Sequence, residues 1–143
     1  MVNNVDKITI CTVCANDEIL LQKNIELISK LNKQIKTNWI IAINKNINKK
    51  IKFENHGSNI LLIDGVNENL TGRDASLHHS MALNLTKKEV KTRFVLFLEP
   101  DFFMLRKNLI NEVLKHMKIK DLSFFGVPWH PKWHSKYRYF PCS

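Results

Sequence analysis

The feature that most constrains the fold is an alternation of short apolar runs with segments of helical period. Ile8 to Cys14, Trp39 to Ile43, Asn59 to Asp64 and Phe94 to Leu98 are each five to seven residues long and rich in β-branched or aromatic side chains. Between them lie stretches whose apolar residues recur at three- and four-residue spacing. Leu21, Ile25, Ile28 and Leu31 form such a stripe after the first run. Strands that alternate with helices imply βαβ units and a mostly parallel sheet. The second run, Trp39-Ile40-Ile41-Ala42-Ile43, is apolar without alternation, as a strand covered on both faces should be. Phe94 to Leu98 has the most buried character of the four.

Within this scheme Asn16 or Asp17 caps a first helix that runs through Ile35. A second helix is expected from Asp74 to about Leu85 and a third from Lys107 to Met117. A short strand, Leu122 to Val127, follows, and an aromatic, proline-containing tail without periodicity closes the chain from Pro128. With 143 residues, 44% hydrophobic content and no linker or repeat, the chain reads as one domain with one core.

Several classes are disfavoured. No apolar run approaches the ~20 residues of a membrane-spanning helix. The N-terminus lacks a basic region followed by an apolar stretch, so a soluble, cytoplasmic protein is expected. Cys11-x-x-Cys14 lies inside the first strand, where residues three apart face opposite sides and cannot share a metal. With Cys142 the cysteines are odd in number, and buried inert thiols are the better reading. The formal charge of +9 comes mostly from lysines scattered among Asn and Ile, the densest run being Lys45 to Lys52. Such a run is usually a solvated face, so no nucleic-acid partner is expected. The same charge suits peripheral contact with anionic lipid headgroups.

Ligands of open α/β sheets bind beyond the carboxyl ends of the strands. There the sequence places Asn16, Asp17 and Glu18 after the first run, Asp64 and Gly65 after the third, and Glu99 and Asp101 after the fourth. Glu99-Pro100-Asp101 is the most informative cluster. In an extended segment residues two apart point the same way, and two close carboxylates resolve their repulsion by binding a hard divalent cation such as Mg²⁺ or Mn²⁺. Two solvated acids at a capped strand end are the plainer alternative. Asp-Gly at 64–65 is also common turn chemistry. Gly72-Arg73-Asp74 opens a helix and could receive a phosphate on backbone N–H groups and Arg73. Of His78 and His79, about 100° apart on a helix, one can face a pocket while the other faces solvent. His130 and His134 stand among tail aromatics with no fourth zinc ligand.

Taken in order, these segments resemble the GT-A glycosyltransferases, especially the inverting, family-two-like group. Residues 8–18 resemble that family's opening strand and base-contacting loop. Leu62-Ile63-Asp64-Gly65 resembles its second nucleotide-contacting acidic position, and Phe94 to Phe103 its apolar strand ending in an Asp-x-Asp motif. The segment from Gly72 through His79 to Asn84 falls where the family has a helix over the donor.

The resemblance implies a Rossmann-like, three-layer α/β/α GT-A domain, incomplete at its C-terminus. It implies sugar transfer from a UDP- or GDP-type nucleoside-diphosphate donor to a glycan or lipid-linked acceptor, assisted by Mn²⁺ or Mg²⁺. Asp101 with Glu99 would hold the metal. Asn16, Glu18, Asp64, Gly65, Arg73, His79 and Glu99 would hold the donor. Two departures stand out. Glu99 replaces the first Asp of the motif, and no Asp or Glu follows Asp121 to serve as the downstream base. A truncated chain is the expectation that follows.

Overall fold

The computed structural model describes residues 7–44, 51–66, 75–128 and 141–142. Strands β1 (Lys7–Cys14), β2 (Lys36–Ile43), β3 (Asn59–Asp64) and β4 (Phe94–Phe97) form one parallel sheet in the order β3-β2-β1-β4. Helix α1 (Glu18–Leu31) links β1 to β2, α2 (Ala75–Lys88) precedes β4, and α3 (Leu109–Ile119) follows it. The expected α/β class with a parallel sheet is therefore present. No helix among the described residues is long and apolar enough to cross a membrane.

The strand order has a physical consequence. The chain steps outward from β1 to β2 to β3, then returns to the far side of β1 as β4. Parallel crossovers keep one hand, so reversing direction moves the connecting helix to the opposite face. Side-chain packing agrees. Ile8, Ile10 and Cys14 of β1 and Trp39 and Ile41 of β2 pack with Leu21, Ile25 and Ile28 of α1 and with Ile110 and Leu114 of α3. On the other face Val13 and Ala42 pack with Ala82 of α2. Period-two alternation divides β1 and β2 between two helical layers, and both strands are apolar on both sides because both sides are covered.

Helix α1 buries the expected stripe, with Asn24 among Leu21, Ile25 and Ile28. It ends at Leu31 rather than Ile35, because Asn32 closes it. The Asn32 amide N–H donates to Ile28 O, and its side-chain Oδ1 accepts from Ile110 N–H at 3.1 Å. Asn108 N–H donates to Leu31 O at 2.8 Å, so the end of α1 fixes the start of α3.

Two expectations are corrected. Phe94–Phe97 is a four-residue strand with a partner on one side only among the described residues, and Val95 is 41% exposed. The most buried strand is β1, which is paired on both sides. Nor is there a strand from Leu122 to Gly126. Only β5 (Val127–Pro128) is extended and paired, antiparallel to β6 (Pro141–Cys142).

Candidate functional site

The strand order reverses between β1 and β4, and ligands of such sheets bind beyond the carboxyl ends of the strands at such a point. Three elements bring titratable groups to this end of the sheet, and two of those groups are in contact. Asp17 stands at the N-cap of α1, Glu99 follows β4, and His79 sits in the second turn of α2.

His79 Nε2 lies 2.9 Å from Glu99 Oε1. The N–H is not aimed along that line, so the contact is an ion pair by distance rather than an aligned hydrogen bond. Glu99 raises the imidazole's proton affinity above its ordinary value. Partial burial opposes this, and the more distant Asp17 carboxylate adds to the rise. A protonated imidazole beside the Glu99 carboxylate is the arrangement this pair favours. Of the two histidines expected to divide between pocket and solvent, His78 does not face open solvent. It is half-buried, and its Nε2 is shielded without a hydrogen-bond partner.

The Glu99-Pro100-Asp101 segment is not extended. Phe102 N–H donates to Glu99 O at 3.1 Å, which closes a four-residue turn. Proline's fixed φ suits the second position of such a turn. Alternation along a strand therefore does not aim Glu99 and Asp101 at one point, and that expectation is overturned. The turn is anchored from below. Asn24 of α1 is fully buried and donates through Nδ2 to Pro100 O at 2.6 Å. Met104, also buried, fixes the far end of the loop in the α1-side core. Leu98 N–H, just before the turn, donates to Cys11 O and extends the β1–β4 ladder. Glu99 and Asp101 are thus exposed acids on a rigid support.

Asp64 and Gly65 lie at the end of β3, on the far edge of the sheet. Three strand spacings separate β3 from β4, roughly 14 Å at about 4.8 Å each. Asp64 and Asp101 cannot share a cation, although an extended nucleotide could reach from one to the other. Gly65 is required by packing. A Cβ there would overlap Asn44 Oδ1 and stand 2.8 Å from Ile43 O. Its N–H donates to Ile43 O, and Val66 N–H donates to Asn44 Oδ1 at 2.8 Å. Asn16 is exposed at the rim, where its N–H donates to Asp17 Oδ1 at 3.2 Å, and Glu18 begins α1 half-buried. Arg73, with Gly72 and Asp74, lies outside the described residues, as do His130 and His134.

Two participants stand outside the residues expected to hold the donor. Asp17, rather than Glu18, is the α1 acid that influences His79. The sequence places it beyond the end of the first strand, as a cap or first-turn acid. Asn24 is the other, and its signal was a lone amide on an otherwise apolar helical stripe.

The cysteines behave as expected. Both are free and fully buried. Cys14 faces the α1 layer, and burial pushes its thiol up to about 11, while Cys11, which meets Thr86 of α2, is also raised. They point to opposite faces of the sheet.

Among the described residues no three His, Cys, Asp or Glu side chains cluster closely enough to cage a metal ion. Magnesium-type ions do not need a cage. They are commonly held by one or two carboxylates, with substrate phosphates and water completing the shell. The acids at the end of β4 meet that lesser requirement. No protein-family model, curated protein or solved structure matches the chain.

Proposed function

We propose that this chain binds the donor in a glycosyltransfer reaction of the GT-A type. It takes a nucleoside-diphosphate sugar of the UDP or GDP kind, with Mn²⁺ or Mg²⁺, for transfer to a glycan or lipid-linked acceptor. The observation that carries the reading is the His79–Glu99 pair, with Asp17 near enough to influence it, at the point where the strand order reverses. Ligands of doubly wound sheets bind at that point.

In this reading Asp101 contributes a carboxylate to the cation, and Glu99 stands beside it under the control of His79. The cation, when bound, neutralises charge on the leaving diphosphate. Asn24 acts through Pro100 by holding the turn, and so positions both acids. Asn16, Glu18, Asp64 and Gly65 line the path open to the nucleoside, and Arg73 is proposed for the phosphates. No catalytic base is assigned.

A thermal shift with UDP or GDP and Mn²⁺ tests the proposal. A nucleotide at a hundredfold excess over its Kd stabilises by about 2.7 kcal/mol. For a chain of this size that is roughly 5–10 °C. Asp101→Ala is expected to abolish the metal-dependent part of the shift. An equal shift in wild type and variant, or none in either, overturns the assignment.

Nucleotide binding without transfer is the second reading. It is favoured by the commitment of His79 to an ion pair with Glu99, which leaves that imidazole without a base's role. Donor turnover separates the two, since binding with no release of sugar supports the second.

A further inference from the structure

The opposite end of the sheet carries a surface that the proposed site does not use. Helix α3 ends near the start of β4, and the chain then folds back on the helix. Leu122 N–H donates to Met117 O at 2.8 Å, and the Phe125 ring meets His116 edge-on at 6.4 Å. This return leaves Ile119 79% exposed, Phe124 55% and Phe125 50%, with Leu122 also exposed beside them. Apolar side chains scattered singly need no explanation, but four on one short return form a patch.

The patch is rimmed with cations. Lys115, Lys118 and Lys120 project from the same turns, against the single carboxylate of Asp121 between residues 115 and 125. Arg93 joins them at the start of β4. The Arg93 guanidinium and the Lys118 ammonium both stand over the Phe94 ring, 5.4 and 5.6 Å from its centroid. A groove of about 330 Å³ opens here, lined by Arg93, Phe94, Met117, Lys118, Asp121 and Leu122. Two cations held against one aromatic ring beside an open groove give an anionic headgroup a place to sit.

We propose that the end of α3 and the 119–125 return form a docking surface for an anionic lipid bilayer. Ile119, Leu122, Phe124 and Phe125 enter the headgroup–acyl boundary, while Arg93, Lys115, Lys118 and Lys120 meet the headgroup phosphates. Charge selects this occupant over the others. Four cations against one carboxylate fit a uniformly anionic surface rather than the mixed charges of a protein partner. Nucleic acid would engage the cations and leave Ile119 and Leu122 without a role. Interfacial binding needs both terms, buried apolar area and attraction to anionic lipid. Each surface cation contributes about fivefold in partitioning, so a net three charges give roughly a hundredfold preference for anionic over neutral vesicles.

The proposal stands apart from the donor site, and vesicle flotation tests it. The chain is expected to float with vesicles in which about one-third of the phosphatidylcholine is replaced by phosphatidylglycerol, and not with phosphatidylcholine alone. Added salt is expected to release much of it. The pair Phe124→Ser and Phe125→Ser alters exposed side chains, so the circular dichroism melt stays close to wild type while partitioning falls at least tenfold. Lys115→Glu with Lys120→Glu lowers it by at least twentyfold. Asp101→Ala floats like the wild type, which separates this surface from the donor site. Equal binding to neutral vesicles overturns the proposal, as does flotation unchanged by either pair. So does a stable dimer that either pair converts to monomer.

Discussion

The side-chain amide of Asn24, in the middle of α1, donates to the carbonyl of Pro100 across the top of the core at 2.6 Å. This buried bond ties the turn carrying Glu99 and Asp101 to the helix stripe that forms the fold. A surface loop would carry those acids with far less precision.

Replacing Asn24 therefore tests the support of the site without touching the site. Asn24→Ala strands the Pro100 carbonyl and opens a small void. Asn24 Oδ1 has no partner of its own, which offsets part of the loss. A destabilisation of about 1–3 kcal/mol is expected in urea denaturation. Asn24→Asp keeps the shape but places a carboxylate against a carbonyl oxygen, and it should be worse than Ala. Metal-dependent nucleotide binding should weaken in both. An Asp variant as stable as wild type would show that the amide bond does not hold the turn.

The His79–Glu99 pair predicts a pH dependence whose sign follows from the raised imidazole pKa. The folded state binds this proton more tightly than the unfolded chain. The pair's contribution to stability is therefore complete below the ordinary imidazole pKa of 6.5 and fades as pH rises through the higher folded value. The stability gap between wild type and His79→Gln should be widest in that acidic range and close on the alkaline side. In proton NMR, Glu99→Gln should bring the His79 titration down. A gap that widens with rising pH would contradict the assignment.

Much of the fold is legible in the sequence because both sheet faces leave a trace. The stripe of Leu21, Ile25 and Ile28 identifies α1, and the unbroken apolar character of β2 reports its two covered faces. Phe94 to Leu98 misleads because an apolar run records what a strand can bury. Whether it has neighbours is a matter of topology, and β4 is paired on one side only among the described residues. The site was half legible. Glu99, Asp101 and Asp64 follow from the rule that ligands bind at strand ends. The ion pair of His79 with Glu99 does not, since it joins residues twenty positions apart through the placement of α2. Proline's turn chemistry at Pro100 was readable and outweighs the assumption of an extended segment there.

Gly65 gives a test of packing at the far edge of the sheet. A Cβ there meets the Ile43 backbone at 2.8 and 2.9 Å in addition to the Asn44 side chain. Backbone cannot swing aside as a side chain can. Gly65→Ala is expected to cost about 1–3 kcal/mol. Removing only the side-chain obstacle, in the Asn44→Ala background, should leave most of that cost in place. Full relief in the double variant would mean that the Asn44 amide, and not the approach of β2 to β3, dictates glycine.

Thr12 offers a prediction of the opposite sign. It sits in central strand β1, fully buried, and its hydroxyl has no hydrogen-bond partner. Its backbone pairs with Ile41 in the β1–β2 ladder, and its side-chain hydroxyl is unsatisfied. An unpaired buried hydroxyl costs about 1–3 kcal/mol in desolvation, whereas a methyl group of nearly the same size costs none. The orphan oxygen lies on the α1 side of the sheet, where Ile10 and Cys14, two residues away along the strand, present apolar surface. Thr12→Val is expected to raise stability by about 1 kcal/mol, or roughly 2–6 °C in melting temperature. Thr12→Ser keeps the hydroxyl and loses the methyl, so it should destabilise. If valine destabilises instead, the hydroxyl is satisfied in solution, and a buried water between β1 and α1 becomes the better account of that position.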